Sequence, residues 1–186
     1  WITICLVNLV IVALLGLSLR TKFLFPVPFL DYRNLISTHS HFAFGGWVTL
    51  VLMVLLIENC LTAHQKQRRT YQVILWGILL NSFGMLLSFP FQGYGPFSIA
   101  FSTLFIFFSY GFTFFFIRDS LQNRLAKPIL LLIIAALSSL VISSIGPFWL
   151  AYMMGTHSGT ATNMRDAVYT YLHFQYKGFF TLSVFA

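Results

Sequence analysis

The sequence predicts an all-α fold: a polytopic bundle of six membrane helices in a single membrane domain, residues 1–186. Three observations predict it. First, 58% of the residues are hydrophobic and only 8% are charged, with a mean hydropathy of +0.83. A soluble domain of this size cannot hide that much apolar surface. Second, the apolar residues form long continuous runs rather than alternating with polar ones, and lipid favours helices for runs of that kind. Third, most charged residues fall in the short stretches between the runs.

The expected helices cover roughly residues 1–19, 37–58, 71–90, 97–117, 128–146 and 167–186. Each approaches the length of about 20 residues needed to cross a bilayer. The first run lacks the basic flank and small-residue cleavage site of a signal peptide. The chain begins at Trp1 and stops at Ala186 within apolar runs, so it is expected to be a fragment of a longer protein. Cys5 and Cys60 stand far apart and form no CxxC pair, so two buried apolar thiols are expected.

The formal charge of +7 is divided among the loops. Lys66, Arg68 and Arg69 separate the second and third runs, and Arg118, Arg124 and Lys127 separate the fourth and fifth. Helices alternate in direction, so these two loops share a side, which the positive-inside rule makes cytoplasmic. The amino-terminal end is then cytoplasmic too. Arg20, Lys22 and Arg33 fall on the opposite side, against Asp31. Membrane lipid is the expected surrounding, and a charge arranged in this way points to no nucleic acid.

One ten-residue pattern occurs twice, each time led by histidine. The first copy runs His41-Phe42-Ala43-Phe44-Gly45-Gly46-Trp47-Val48-Thr49-Leu50, and the second runs His173-Phe174-Gln175-Tyr176-Lys177-Gly178-Phe179-Phe180-Thr181-Leu182. Five positions are identical, and two exchange one aromatic residue for another. Three apolar runs lie between the copies, so repeat units of four helices, led by 37–58 and 167–186, are expected. An intramembrane imidazole is costly without a partner and marks a functional site.

The other polar residues sort around these copies. His39 and His41 are two positions apart, about 200° around a helix, so one metal does not take both. His41 heads the repeat and is expected to face the bundle. Gly45 and Gly46 follow one turn later and permit close approach of a flat ligand or of another helix. Lys177 lies four residues after His173, on the same face, and Gln175 and Tyr176 join it in a polar group. That group suits a polar cavity holding a metal, a haem propionate or a proton path. A lysine reaching the headgroups is the alternative. His64 and His157 are expected to be solvated loop residues. Glu58 is expected at the membrane surface, and Ser102, Thr103, Ser109 and Thr113 in interhelical hydrogen bonds, with Asn81 a weaker polar signal. The 22 phenylalanines suit lipid, core and porphyrin equally well.

A histidine-led helix recurring every four helices resembles the large subunit of the haem-copper oxidase superfamily, which includes nitric oxide reductases. The string His39-Ser40-His41-Phe42-Ala43-Phe44-Gly45-Gly46-Trp47 is similar to the glycine-rich second helix of that subunit. The resemblance implies the first half of a twelve-helix, pseudo-threefold protein in a bacterial inner membrane. It implies His41 as ligand of a low-spin, b-type haem, with His39, Gly45 and Gly46 around the cofactor. It implies His173 as ligand of copper or non-haem iron, with Tyr176 and Lys177 in proton delivery or propionate binding. Electron transfer in a respiratory chain, from a donor subunit, quinol or cytochrome c to O2 or NO, follows from it. Main-type oxidases carry tyrosine four residues after the helix-six histidine. Lys177 stands there in this chain, and Tyr176 comes one residue earlier.

Three other readings start from the same residues. Membrane proteins of the NnrS type, linked to haem, copper and nitric oxide stress, also use histidine-led repeated helices. A transporter would line a polar path with the histidines and Lys177 and need no metal. A structural subunit would use the polar residues only to pack helices.

Overall fold

The computed structural model describes residues 1–22, 24–25, 31–123 and 125–186. Arg124, expected in a basic loop, lies outside the described residues. The described residues contain helices and no strand. α1 is Ile2–Thr21, α2 is Tyr32–Cys60, α3 is Ala63–Lys66, α4 is Arg69–Gln92, α5 is Pro96–Gln122 and α6 is Lys127–Gly155. α7 spans 161–185. Among the described residues seven helices therefore replace the six expected, the addition being the four-residue turn α3.

Five of them, α1, α2, α4, α5 and α6, are long and apolar enough to cross a membrane. α7, the sixth expected span, is not among them, because it carries Asn163, Arg165, Asp166, His173, Gln175 and Lys177. The helices leave apolar side chains in the open. Leu6, Val10, Leu14 and Leu17 form an exposed stripe along α1, and Val73, Leu80 and Leu87 do so on α4. Large apolar patches of this kind are what a membrane helical bundle presents to lipid.

Several ends differ from the expected ones for local reasons. α2 begins at Tyr32, not near 37, because the Asp31 carboxylate accepts from the Asn34 backbone N–H and caps the helix at 3.0 Å. α7 begins at Ala161, not near 167, because Thr160 caps it through the Asn163 N–H at 3.2 Å. α6 reaches Gly155, well into the stretch 147–166 expected as loop. Pro147 cannot donate to the Ser143 carbonyl, so the helix bends at Ser144 and restarts with the proline in its first turn. Ser143 and Ser144 add to the bend by bonding back to the Leu140 and Val141 carbonyls. α6 then ends with His157 in the left-handed region, φ +52°, and the Ser158 N–H reaching the Met153 carbonyl. His157 thus does the work of a helix-ending glycine.

The chain divides into two compact units, Trp1–Glu58 with Lys66–Phe108, and Asn59–Gln65 with Ser109–Ala186. In the first, Trp1 donates its indole N–H to Gln72 and meets Trp76 edge-on, which ties the start of α1 to α4. Phe42, Leu50, Met53, Ile78 and Phe89 fill the core. Glu58 pairs with Lys66 at 3.1 Å, so the expected surface carboxylate is in an ion pair. Two glycines of α4 receive rings of α5. A Cβ on Gly77 would lie 2.3 Å from Phe108, and one on Gly84 would lie 2.4 Å from Phe101. Small residues set this close helix crossing.

In the second unit, the Gln65 side-chain oxygen accepts from the Thr62 N–H, the Thr62 hydroxyl and Asn123. Asn123 also donates to the Cys60 carbonyl at 3.0 Å. This network fastens the 59–65 turn to the end of α5, where Asp119 is buried beside Arg118. Gly146 abuts the Ala167 carbonyl, so the last part of α6 and the first part of α7 pack backbone to backbone. Both cysteines are buried, as expected, and neither is in a disulfide.

Of Asn81, Ser102 and Thr103, Ser102 meets the interhelical expectation and Thr103 differs from it. Each bonds a carbonyl four residues back on its own helix, and Ser102 alone of these also reaches across, to the Met85 sulfur. Thr113 Oγ1 is buried without a hydrogen-bond partner. A self-contained bond needs no neighbouring helix, which explains why it wins where aromatic side chains occupy the interface.

Gly84→Val is expected to lower stability by about 1–3 kcal/mol through overpacking against Phe101. Thermal unfolding in detergent, with Phe101→Ala and the double variant beside it, checks this. The double variant should lose less than the sum of the two single losses.

Candidate functional site: two histidine-led π-helices

Both copies of the repeat fold into the same element. An α-helix with a side-chain cap reaches the histidine, and the helix widens at the next residue into a π-helix. The widened segments are Phe42–Thr49 and Phe174–Phe180, after which α-helix resumes. π-Turns are rare and collect at functional sites. A wide turn makes room for the aromatic residues the repeat conserves, and it misaligns carbonyls that side chains must then satisfy. In the first copy Asn8, buried in α1, donates to the Gly46 carbonyl. In the second, the Thr181 hydroxyl donates to the Tyr176 carbonyl five residues back, at 2.7 Å. Each π segment packs on the long helix before it, the first on α1 and the second on the early part of α6.

His41 is part-buried and has a complete set of neighbours. Its ring stacks on Phe89 of α4, centroids 4.5 Å apart and planes 14° from parallel. Its Nε2 lies 3.2 Å from the Tyr94 hydroxyl. Tyr94 comes from the turn between α4 and α5 and meets His41 edge-on at 5.8 Å. Ser37, one turn before His41, hydrogen-bonds the same hydroxyl. Burial pushes the Tyr94 phenol up, and the Ser37 bond offsets part of that rise. Gly93 enables the turn. It sits at φ +56°, and a Cβ there would lie 2.6 Å from Asn34 Oδ1.

His39 faces a different neighbour. Its ring edge lies against Gly16 of α1, and its Nδ1 is buried without a partner. The two histidines thus serve separate faces, as their spacing requires. Gly45 and Gly46 are both buried. A Cβ on Gly45 would meet the Phe105 ring at 2.9 Å and Ser82 Oγ at 3.1 Å, while one on Gly46 would meet the Phe42 ring at 2.8 Å. The close approach that the glycines allow is taken by these side chains.

The second copy is more open. His173 is exposed, with Tyr169 and Phe174 as ring neighbours at 6.2 and 5.9 Å. It stands twelve residues after Ala161, more than three turns into the helix rather than the expected two. Tyr176 and Lys177 are exposed beside it, and Tyr176 meets Phe180 edge-on. Gln175 turns inward instead. Its Nε2 donates to Ser143 at 3.1 Å, and its Oε1 is buried without a partner. A Cβ on Gly178 would fall 2.4 Å from Ser139 Cβ, so the glycine lets the π segment press on α6. The expected polar group therefore divides: His173, Tyr176 and Lys177 outward, Gln175 inward.

Sequence reasoning passed over Asn8, Ser37, Phe89, Tyr94 and Asp119. Asn8 had a readable signal as the lone amide in an otherwise apolar first run. Tyr94 had a fainter one, an aromatic residue between two glycines. No group of three or more His, Cys, Asp or Glu side chains able to hold a metal occurs among the described residues. Haem needs less: one imidazole, an apolar wall and room at the nitrogen. His41 and Phe89 meet the first two needs. As to the third, the Tyr94 hydroxyl stands 3.2 Å from Nε2 in this structure, carried on a turn outside the helices.

Compared with protein-family models, with curated proteins and with solved structures, the chain matches none.

Gly178→Ala is expected to cost about 1–3 kcal/mol, because Ser139 Cβ is fixed to a helix backbone and cannot swing away. Ser139→Gly should restore most of the loss. Gly155→Ala, with nothing within 4 Å of the added carbon, is the control and should be neutral or slightly stabilising. Thermal unfolding of Gly178→Ala, of Gly178→Ala combined with Ser139→Gly, and of Gly155→Ala in detergent distinguishes these outcomes.

Proposed function

We propose that this chain is part of a haem-binding integral membrane oxidoreductase of the haem-copper oxidase type, the first half of a twelve-helix subunit. The observation that carries the reading is the repeat. Two histidine-led segments, four long helices apart, take the same rare α–π–α form. A duplicated unit that places an imidazole at the same point of each copy is what a multi-centre redox protein needs.

In this reading His41 holds the iron of a b-type haem through Nε2, the atom now facing Tyr94. Phe89 keeps the imidazole plane in place by stacking on it, and Ser37 receives the tyrosine hydroxyl. A bound haem supplies one-electron transfer and, in a second copy, a site for a small gas such as O2 or NO. His173 serves copper or non-haem iron, to which imidazole is well suited. Lys177 holds a propionate or passes a proton with Tyr176. The exposed state of these three side chains supports a role at a surface that other parts of the protein complete. The electron donor is a quinol, a cytochrome c or a donor subunit.

The basic residues Lys66, Arg68, Arg69 and Lys127 favour an amino-terminal end in the cytoplasm, and the oxidase-type reading places the protein in a bacterial inner membrane. His41 and His173 then lie toward the outer side.

The test is an oxidised-minus-reduced visible spectrum of the purified full-length protein, with His41→Ala and His39→Ala beside it. A b-type signal lost in His41→Ala and kept in His39→Ala is the expected result. Folded protein without a haem signal overturns the reading and favours a histidine- and lysine-lined transport path.

A further inference from the structure

We infer that the Gly93-Tyr94-Gly95 turn is a latch: its tyrosine hydroxyl closes His41 Nε2 and must leave before that nitrogen can engage any other group. Four observations build it. Asn34, Ser37 and His41 fall at i, i+3 and i+7, along one face of α2. All three meet the same turn. Asn34 lies against Gly93, where an added Cβ would come 2.6 Å from its Oδ1, Ser37 bonds the Tyr94 hydroxyl, and His41 Nε2 lies 3.2 Å from it, while Asn34 also donates to the Pro90 carbonyl in the last turn of α4 at 3.5 Å. The turn is also bracketed for movement. α4 ends at Gln92 and α5 starts at Pro96, and Gly93 holds a left-handed φ that suits no other residue type well.

The latch is held by weak, replaceable contacts. The bonds from Asn34, Ser37 and His41 involve side chains, the Asn34 bond is long, and the Tyr94 side chain is half-exposed. By contrast the floor beneath is fixed. Phe89 is wholly buried, stacks on His41, and also meets Tyr94 edge-on at 5.1 Å. Release of Tyr94 therefore bares Nε2 without disturbing the ring that carries it. What Nε2 can take once bared follows from its chemistry: in the tautomer with its proton on Nδ1, its lone pair can engage a transition-metal centre or a proton donor. Closed, the tyrosine keeps a part-buried imidazole satisfied, which is the condition for its stability in an apolar helix.

The inference stands whether or not haem is the occupant, and its test reads the imidazole directly. Full-length, haem-free protein in detergent is treated with diethyl pyrocarbonate, and the rate of modification at each histidine is followed by mass spectrometry. Exposed His64 and His157 give the reference rate within the same molecules. Tyr94→Phe keeps the ring and removes the hydroxyl. Loss of one neutral hydrogen bond corresponds to about a fivefold faster reaction at His41. Gly93→Ala displaces the turn against Asn34 and should raise the rate in the same direction, while His64 and His157 stay unchanged in both variants. Equal His41 rates in the wild type and Tyr94→Phe overturn the latch. That result is separate from the spectrum above: haem lost in His41→Ala with no rate change in Tyr94→Phe keeps the redox reading and discards the latch. A rate change in protein that never shows haem does the reverse.

Discussion

In a chain this apolar, an interior polar group can be satisfied only by a partner inside the protein, and most of the structure's side-chain bonds answer that constraint. Water is not there to accept the bond, and an unsatisfied buried group costs about 1–3 kcal/mol. The simplest response is local. Ser102, Thr103, Asn81, Ser82 and Ser139 all bond a carbonyl four residues back. The harder cases arise where the helix itself changes pitch. A π-turn shifts carbonyls out of line, and the structure answers with Asn8 at Gly46 and Thr181 at Tyr176. These bonds tie each widened segment to a definite place, and the histidine at its head is placed with it.

Aromatic rings supply the second half of the design. Glycines at 45, 77 and 84 receive rings of Phe105, Phe108 and Phe101, all from α5. A phenylalanine set into a glycine notch buries a large area while the two helix axes stay close. The many phenylalanines of this region thus have a structural task that composition alone did not separate from lipid contact. Phe112 and Phe116 are wholly buried, whereas Phe107 and Phe114 are more than half-exposed, so one helix uses the same residue for both purposes.

The helices were legible because hydropathy is additive along a run, and each of the six expected segments overlaps a long helix. Their ends were less legible. Asp31 and Thr160 are capping residue types, but each precedes a polar first turn that hydropathy assigns to a loop. Pro147 looked like the start of a long loop, yet in the first turn after a bend a proline lets the helix resume. The repeat was visible as letters, and its shape was not. No local propensity identifies a π-turn, since the widening depends on which neighbour takes the displaced carbonyl. Tyr94 was hidden for a related reason. Its partners, Ser37 and His41, lie 57 and 53 residues away in sequence, and only the packing of α2 on α4 brings them together.

The two copies show how one motif acquires two roles. The fifth position is Gly45 in the first copy and Lys177 in the second. Glycine lets Phe105 and Ser82 approach, so helices close around the first copy. Lysine forbids such an approach, and the second copy keeps His173, Tyr176 and Lys177 exposed together. The third position is Ala43 against Gln175. Alanine makes no demand, whereas glutamine turns inward to Ser143 and leaves one buried oxygen without a partner. The retained positions, His, Phe, Gly, Thr and Leu, are those that build the widened turn and press it on the preceding helix. The changed positions decide what surrounds the imidazole. Backbone shape and chemical setting are therefore carried by different letters of the same ten-residue string. A duplicated segment can in this way keep its geometry while one histidine is enclosed beneath a tyrosine and the other is left open.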